Sequence, residues 1–527
     1  MNVNYSIYLV TGRDLLPPGK GYLESLDEAL QGGVTVVQIR EKEADTKEFI
    51  EIARASKEIC DRYNVPLLIN DRVDVALAIK ADGVHLGQTD MSVAQARALL
   101  PKGSIIGVSC NNVQQVEKAR KDLVEYVGIG AVWGTTTKTL TNPTIGVRGV
   151  GVMLEALDGT DIKAVAIGGI KESNLLRTLH GSVSPTGHAL DGVAVVSEIV
   201  ASKDPKNAAA NLSSILSGFR ARFTSVPRGR TLASSLYGDG SVPTNPKILE
   251  GVRTLMIEIR KAGPLVHQIT NNVVATQSAN ITLGLGASPI MATAPEEMKD
   301  LERITGALLV NIGTLTAASV EGMRKAGFYA NAFRRPLVFD PVGVGASQFR
   351  KDTVKELLNL YQASVIKGNA GELAALAESR EVESKGVDSV GPGFRDPVAF
   401  VKSIVVMTGP TDYISDGATV VSLKNGHEVL GKITGSGCIV GSSIASYCAV
   451  ASTLSTSEEQ PQGSLVSGDM FLGAIAGILV LTVAAEVAVE GGHVRGPGTF
   501  LGVLIDVLWT LTPEDVIKRA KLDVHAS

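Results

Sequence analysis

Cysteine is scarce in this sequence: the four residues Cys60, Cys110, Cys438 and Cys448 stand far apart among 527 residues. This number and spacing exclude a disulfide framework and a cysteine zinc site. The N-terminal segment also lacks the basic stretch and small-residue cleavage site of a secretion signal. We therefore expect a reducing, cytoplasmic environment.

An excess of charge of one sign is also lacking. The 50 basic and 54 acidic residues give a formal net charge of −4 and form no blocks, which argues against nucleic acid or a membrane surface as partner. One uncharged run, Met470–Ala485, falls short of the roughly 20 residues that cross a bilayer. We predict that it is a buried core helix and that the ligands are small molecules.

The length exceeds what one hydrophobic core usually serves, so two domains are expected. In the first 200 residues, short β-branched runs alternate with amphipathic segments such as 46–63, 92–100 and 113–121, which is typical of a (β/α)8 barrel. The predicted strands are 7–10, 34–39, 67–69, 83–86, 105–108, 126–130, 164–167 and 192–196.

A second α/β pattern begins after a Ser-, Gly- and Pro-rich stretch. We therefore predict a barrel over residues 1–220, a linker over 221–245 and a second domain over 246–527. The polar segment 453–468 is predicted to be a surface loop. The predicted strands of the second domain are 265–269, 307–312, 337–340, 364–366, 404–407 and 419–423.

Polar residues follow most of the predicted barrel strands, at the end where barrel enzymes build their sites. Gln38, Arg40 and Lys42 share one face of the second strand and suit a polyanion such as diphosphate, although a solvated strand end is an alternative. Asp71 and Asp90 follow the next two strands and could share Mg²⁺, or could serve as turn and capping residues.

The later strands end in hydroxyl and glycine residues that suit phosphate groups. The residues concerned are Ser109, the turn from Gly134 through Thr135, Thr136 and Thr137 to Lys138, the pair Gly168-Gly169, and Val196-Ser197. His85, before Asp90, is interpreted as a hydrogen-bonded site histidine rather than a metal ligand.

These motifs resemble those of the thiamine-phosphate synthase family over residues 1 to about 200. The resemblance implies a TIM (β/α)8 barrel that joins hydroxymethylpyrimidine diphosphate to a thiazole phosphate. It implies Asp71 and Asp90 as Mg²⁺ ligands. Two departures are Thr136, where proline is common, and an extra loop over 180–189. The implied pyrimidine diphosphate residues are Gln38, Ile39, Arg40, Glu41, Lys42, Asn70, Ser109 and Lys138, and the implied thiazole phosphate residues are Thr135, Thr136, Thr137, Gly168, Val196 and Ser197.

The second half has neither a GxxxxGK[ST] loop nor the HRD and DFG motifs of protein kinases. It does contain Asp340 at a strand end, and Asn369 and Glu372 at N-x-x-E spacing. The acidic residues Asp340 and Glu372 could bind the Mg²⁺ that accompanies ATP, directly or through water. The GSGC turn places Cys438 at a predicted helix N-terminus, where we expect an acidified thiol that could accept a proton.

HQITN, GASPIM, NIGTLT, DPVGVGA, KGNAGE, VVMTG and GSGC together resemble the hydroxyethylthiazole kinase family, which has a ribokinase-like fold. The resemblance implies thiazole contacts at Met291 and Gly435, ATP contacts at Lys367 and Thr408, and Cys438 as proton acceptor. Lys367 stands where arginine is usual, which puts ATP affinity in doubt. The family's trimers suggest a homo-oligomer.

Two other functions stay open at this point. The barrel could be a thiazole-phosphate isomerase, although the residues for diphosphate and Mg²⁺ are all present. The chain could instead be a vitamin-binding sensor without catalytic activity, although Cys438, Glu372 and Lys138 are retained.

Overall fold

A computed structural model describes residues 3–135, 137, 142–225, 243–377, 403–454 and 463–526. The chain divides into two compact units, Met1–Ala221 and Arg222–Ser527, each with its own sheet. Helix α9 of the first unit ends at Ser225 and helix α10 of the second begins at Asn245.

The first unit is a closed barrel of eight parallel strands, in which each strand pairs with the next and the eighth pairs with the first. All eight predicted strands are confirmed, with ends that differ by no more than two residues. The strands are β1 Ile7–Val10, β2 Val36–Ile39, β3 Leu67–Asn70, β4 Gly83–Leu86, β5 Ile105–Cys110, β6 Tyr126–Ile129, β7 Lys163–Ile167 and β8 Gly192–Val195.

Helices follow the barrel strands, and side-chain caps fix where several begin. Asp45, Ser92 and Asn112 each accept a backbone N–H three residues on, which satisfies an otherwise unpaired donor. The predicted extra loop over 180–189 is wrong at its start, because His180 is a buried residue of α7. The helices are α1 Tyr22–Gln31, α2 Thr46–Arg62, α3 Val73–Ile79, α4 Val93–Leu99, α5 Val113–Lys121, α6 Gly146–Glu155, α7 Glu172–Ser182, α8 Ser197–Val200 and α9 Pro205–Ser225.

The barrel interior is filled by aromatic and aliphatic side chains around Tyr126. The ring of Tyr126 lies 4.9 Å from that of Tyr5 and 5.7 Å from that of Tyr8, measured between centroids. Gly107 is opposite Tyr126 in the β5–β6 register, and a Cβ at residue 107 would be 2.0 Å from this ring. Glycine at this position therefore makes room for the tyrosine.

We expect Gly107→Ala to lower the free energy of unfolding of the barrel by about 1–3 kcal/mol, because the Tyr126 ring would have to leave its place in a packed interior. Urea unfolding can be followed by Trp133 fluorescence after Trp509→Phe removes the only other tryptophan. Gly134→Ala is the control, since a Cβ there meets no atom of the described residues within 4 Å. Equal unfolding midpoints for the two variants would contradict this account.

The second unit contains a nine-stranded sheet in the order β10-β9-β11-β12-β13-β14-β15-β16-β17. Neighbours from β10 to β14 are parallel, and those from β14 to β17 are antiparallel. All six predicted strands are confirmed, whereas β10, β15 and β17 were not predicted. The strands are β9 Leu265–Ile269, β10 Ser288–Ile290, β11 Ala307–Asn311, β12 Leu337–Asp340, β13 Val365–Asn369, β14 Ile404–Thr408, β15 Asp412–Ser415, β16 Thr419–Leu423 and β17 Leu522–Ala526.

Helices cover both faces of this sheet. One core contains residues of α10, α11, α16, α17 and α18, and the other contains residues of α12, α13, α14 and α15. The helices are α10 Asn245–Ala262, α11 Ala275–Leu285, α12 Met298–Ile304, α13 Ala317–Ala332, α14 Gln348–Leu360, α15 Ala370–Leu376, α16 Ser436–Leu454, α17 Met470–Glu490, α18 Pro497–Thr510 and α19 Pro513–Arg519.

Two of these helices, α16 and α17, are long and apolar enough to cross a membrane by length and composition alone. In the structure most of both helices is buried inside the unit, so α17 is a core helix as predicted. The predicted surface loop over 453–468 is wrong in part. Residues 464–467 between these helices are buried, while 455–462 lie outside the described residues.

Candidate active sites

The QIREK segment, residues 38–42, begins in β2 and continues beyond its carboxyl end. Gln38 is buried inside the barrel, where its Nε2 donates to the Tyr8 hydroxyl at 2.8 Å. The side chain of Ile39 is fully buried, so only its backbone could meet a ligand. Arg40 is half-buried and Lys42 exposed, which leaves two cationic side chains beside the barrel mouth.

Glu41 is engaged by a residue that the sequence did not single out. Arg13 donates from Nε and Nη2 to the two Glu41 carboxylate oxygens, each at 2.9 Å. This paired geometry ties the loop after β1 to the loop after β2. Glu41 therefore has a structural partner that fixes where the neighbouring cations lie.

The two acidic residues predicted to bind metal lie close enough to interact. Burial, and then the adjacent Asp90 carboxylate, raise the pKa of Asp71 to about 6, while Lys42 acts in the opposite direction. Asp90 is exposed, and its Oδ2 accepts the Gly87 N–H at 2.7 Å. Two carboxylates that disfavour each other's charge fit a divalent cation, which would relieve that repulsion.

A hydrogen-bonded chain crosses the barrel beneath this site. The Tyr8 and Tyr126 hydroxyls are 2.6 Å apart, Tyr126 lies 2.7 Å from Nδ1 of His85, and Nε2 of His85 lies 2.8 Å from Oγ of Ser109. This hydrogen-bonded chain starts at Gln38 and so connects three residues that the sequence singled out, Gln38, His85 and Ser109. Neither tyrosine was predicted, because each lies inside an otherwise apolar strand.

The predicted phosphate loops lie at the same end of the barrel. Gly168 and Gly169 have φ angles of 101° and 63°, and a Cβ on either would come within 2.6 Å of the segment after β6. The hydroxyls of Thr135 and Thr137 are 2.8 Å apart in that segment. Val196 and Ser197 are half-buried at the start of α8, while the predicted residues Thr136 and Lys138 lie outside the described residues.

In the second unit, Cys438 is joined to Asp340 by two asparagines. Nδ2 of Asn271 lies 3.3 Å from Sγ of Cys438 and 3.1 Å from Oδ1 of Asn311. Asn311 in turn donates to Oδ2 of Asp340 at 2.7 Å. The two asparagines belong to motifs noted in the sequence, but their own roles were not predicted.

Lys367 lies within this cluster and is almost completely buried. Its Nζ is 3.4 Å from Oδ1 of Asp340, and a Cβ on Gly437 would lie 3.2 Å from the same Nζ. Burial acts to lower the pKa of Lys367, but Asp340 and Glu372 raise it overall. A buried ammonium therefore lies close to the turn where α16 begins.

The expected acidification of Cys438 is not found. Burial raises the pKa of its thiol, and Asp340 raises it further, while Lys367, Asn311 and Asn271 act to lower it. The position at the start of α16 was predicted correctly, but burial outweighs the groups that favour the thiolate.

The two acidic residues of this unit that were predicted to bind Mg²⁺ accept contacts from other groups of the protein. Oε1 and Oε2 of Glu372 accept the N–H groups of Gly343 and Asn369, each at 2.9 Å. The Oδ1 of Asn369 accepts the Glu372 N–H, which completes a capping box at the start of α15. Both oxygens of the buried Asp340 are engaged too, and each of these carboxylate oxygens keeps a further lone pair with which it could bind Mg²⁺ directly or through water.

The residues implied for thiazole and ATP lie around the cluster. Half-buried Met291 follows β10, and Nε2 of buried His267 lies 2.9 Å from the Ala292 carbonyl beside it. Gly435 has a φ of 77°, and a Cβ there would lie 1.9 Å from Cγ1 of Val274. Half-buried Thr408 ends β14, with its Oγ1 3.5 Å from the Gly368 carbonyl oxygen.

Comparison with known proteins agrees with this division into two sites. Residues 7–199 match the model of the Thiamine monophosphate synthase family, and residues 256–514 match that of the Hydroxyethylthiazole kinase family. A "Probable thiamine biosynthetic bifunctional enzyme" of Schizosaccharomyces pombe is 37% identical, with 99% of each chain covered. This chain belongs to the bifunctional thiamine biosynthetic enzyme family.

Other known proteins are similar to the whole chain or to its second half. The "Thiamine biosynthetic bifunctional enzyme" of Saccharomyces cerevisiae is 36% identical over 97% of this chain and 96% of its own length. A "Hydroxyethylthiazole kinase" of Thermoanaerobacter sp. is 39% identical over 52% of this chain and 99% of its own. The predicted order is confirmed: a thiamine-phosphate synthase barrel precedes a ribokinase-like kinase domain, whose class implies ATP as co-substrate.

Proposed function

We propose that this chain carries out two successive reactions of thiamine assembly. The second unit transfers a phosphoryl group from ATP to hydroxyethylthiazole. The barrel then joins the thiazole phosphate to hydroxymethylpyrimidine diphosphate, with release of diphosphate. The observation that carries the proposal is that each unit contains its own cluster of charged and polar side chains. Asp71, Asp90 and Lys42 lie together in the barrel. Asp340, Lys367 and Cys438 lie together in the second unit.

In the barrel, the proposed reaction needs charge stabilisation rather than a nucleophile. Arg40 and Lys42 would bind the diphosphate, and Asp71 and Asp90 would hold Mg²⁺, which supplies positive charge for the leaving group. The C–O bond to diphosphate breaks with its electron pair, and the thiazole nitrogen lone pair forms the new C–N bond. No proton has to be removed in this step.

In the second unit, the hydroxyl oxygen of hydroxyethylthiazole would attack the γ-phosphorus of ATP. The bond from this phosphorus to the bridging oxygen of the β-phosphate would break with its electron pair, and ADP would leave. The thiolate form of Cys438, from which solvent has already taken the thiol proton, would accept the hydroxyl proton on Sγ, and Asn271 would hold that sulfur in place through its 3.3 Å contact. The buried Lys367 lies beside Gly437 at the start of α16. Its ammonium and the positive end of the helix dipole would offset the negative charge that develops on the transferred phosphoryl group. Mg²⁺ would arrive with the nucleotide, and Asp340 and Glu372 would bind it directly or through water.

The predicted residues fit this proposal better than either alternative. An isomerase would have no use for two cations beside a pair of interacting carboxylates, and all of these groups are present at the barrel mouth. A binding protein without catalysis would not need a buried lysine against Asp340 and a thiol held by an amide. We also propose a cytoplasmic location and a homo-oligomer formed through the second unit.

Omission of ATP tests the two-reaction proposal. Purified protein is mixed with Mg²⁺, hydroxymethylpyrimidine diphosphate and hydroxyethylthiazole, and thiamine phosphate is measured with and without ATP. We expect product only with ATP, and product without ATP when thiazole phosphate replaces hydroxyethylthiazole. Equal product with and without ATP from the unphosphorylated thiazole would contradict the proposal.

A further inference from the structure

The buried hydrogen-bonded chain in the barrel has a direction that its own chemistry sets. At one end, the Nε2 amide group of Gln38 can only donate, so the Tyr8 oxygen accepts. The Tyr8 hydrogen is then available for the Tyr126 oxygen, 2.6 Å away. The opposite arrangement would leave the Tyr8 hydrogen without an acceptor in the described part of this network, at a fully buried site.

The same logic continues to the other end of the chain. Tyr126 donates to Nδ1 of His85 at 2.7 Å, so this nitrogen carries no hydrogen. The imidazole hydrogen is then on Nε2, which donates to Oγ of Ser109 at 2.8 Å. The hydroxyl hydrogen of Ser109 is left to point elsewhere. At the opposite end, Oε1 of Gln38 is left as an acceptor.

We propose that Tyr8, Tyr126 and His85 are positioning residues that make Ser109 a hydrogen-bond donor and Gln38 an acceptor toward the pyrimidine. This inference rests on the proposed synthase reaction and adds the basis of its selectivity. An aminopyrimidine offers an N–H donor beside a ring nitrogen that accepts, which matches both ends of the chain. The corresponding oxo-pyrimidine carries hydrogen on that ring nitrogen and an oxygen outside the ring, so both contacts would be mismatched.

The direction in which the hydrogen-bonded chain donates can be measured on the unaltered full-length protein. Two-dimensional ¹H–¹⁵N correlation spectra of the histidine rings, assigned with a His85→Gln sample, report which nitrogen carries the hydrogen. We expect the Nε2–H tautomer for His85. The Nδ1–H tautomer would mean that the chain runs the other way and would overturn the proposal, whatever any variant does.

The selectivity is tested with Tyr126→Phe, which removes one hydroxyl but keeps the ring that packs between Tyr5 and Tyr8. The ratio of kcat/KM for the amino- and oxo-pyrimidine diphosphates is compared with that of the unaltered protein, so the intrinsic reactivity of each substrate cancels. We expect the preference for the amino form to fall by about 5- to 10-fold, the size of one lost hydrogen bond, with a mixture of His85 tautomers.

Tyr5→Phe is the matched control. The Tyr5 ring packs on Tyr126, but the Tyr5 hydroxyl does not belong to the hydrogen-bonded chain. It should keep both the preference and the tautomer. An unchanged preference in Tyr126→Phe overturns the inference but leaves the proposed function intact. If the unaltered protein makes no thiamine phosphate from either diphosphate, the proposed function fails, and the His85 spectrum still decides the direction of the chain.

Discussion

Cys438→Ala is expected to lower the kcat of hydroxyethylthiazole phosphorylation by about 10²–10⁴-fold, the usual contribution of a general base. The sulfur is buried and is the group beside Asn271 that could take the hydroxyl proton. Because the pKa of this thiol is raised, its deprotonated fraction should still grow with pH in the alkaline range. We therefore also expect the wild-type rate to rise with pH there.

Cys448→Ala is the control for this experiment, because Cys448 is a second buried cysteine of α16. It should keep both the rate and the pH dependence, and Cys438→Ala should still convert supplied thiazole phosphate. If Cys438→Ala retains the alkaline rise in rate, the titrating group is another residue and the role of Cys438 as proton acceptor is wrong.

Asp71→Asn and Asp90→Asn should each reduce thiamine phosphate formation by at least about 100-fold, as expected when a metal site loses a charged ligand. The change at residue 71 isolates the charge, because the φ of 62° at this position is one that asparagine tolerates well. The measurement is the synthase rate as a function of Mg²⁺ concentration. Saturation should require much more Mg²⁺ than in the unaltered protein.

Asp74→Asn provides the comparison for the metal-site variants. Asp74 is an exposed carboxylate at the start of α3, where it pairs with Arg72 rather than with a second acidic residue. Its replacement should leave the Mg²⁺ dependence unchanged, and none of these variants should alter ATP-dependent kinase turnover. Full synthase activity of Asp71→Asn at ordinary Mg²⁺ would rule out the proposed ligand.

The strands that the sequence predicted are those with a clear apolar run and a polar end. The eight barrel strands meet this condition, since buried parallel strands are nearly continuous in apolar residues. The three missed strands do not: β10 has three residues, β15 begins at a buried aspartate, and β17 mixes charged and apolar residues. These strands form through pairing with neighbours that are distant in sequence or through turns that a local pattern does not show.

The residues of the sites divide in the same way. Gln38, Asp71 and Ser109 could be proposed because they interrupt or follow apolar runs at strand ends. Tyr8 and Tyr126 could not, because an inward tyrosine within a strand has the same local pattern as a core residue. The pKa of the Cys438 thiol could not be predicted from the sequence either. Neighbouring residues in the sequence showed that Cys438 lies at the start of a helix, but its burial depends on the packing of the whole unit.

The N-x-x-E motif at Asn369 and Glu372 limits which residues relatives of this chain can carry at these two positions. Since its side chains close the first turn of α15, the spacing is imposed by how that helix starts, before any question of chemistry. A natural sequence with serine and glutamine at these positions would keep the capping box. It would lose the negative charge and one of the two hydrogen bonds that Glu372 accepts, because glutamine has a single acceptor oxygen. Lineages with that exchange would show whether selection preserves the carboxylate with both of its hydrogen bonds or only the capping box.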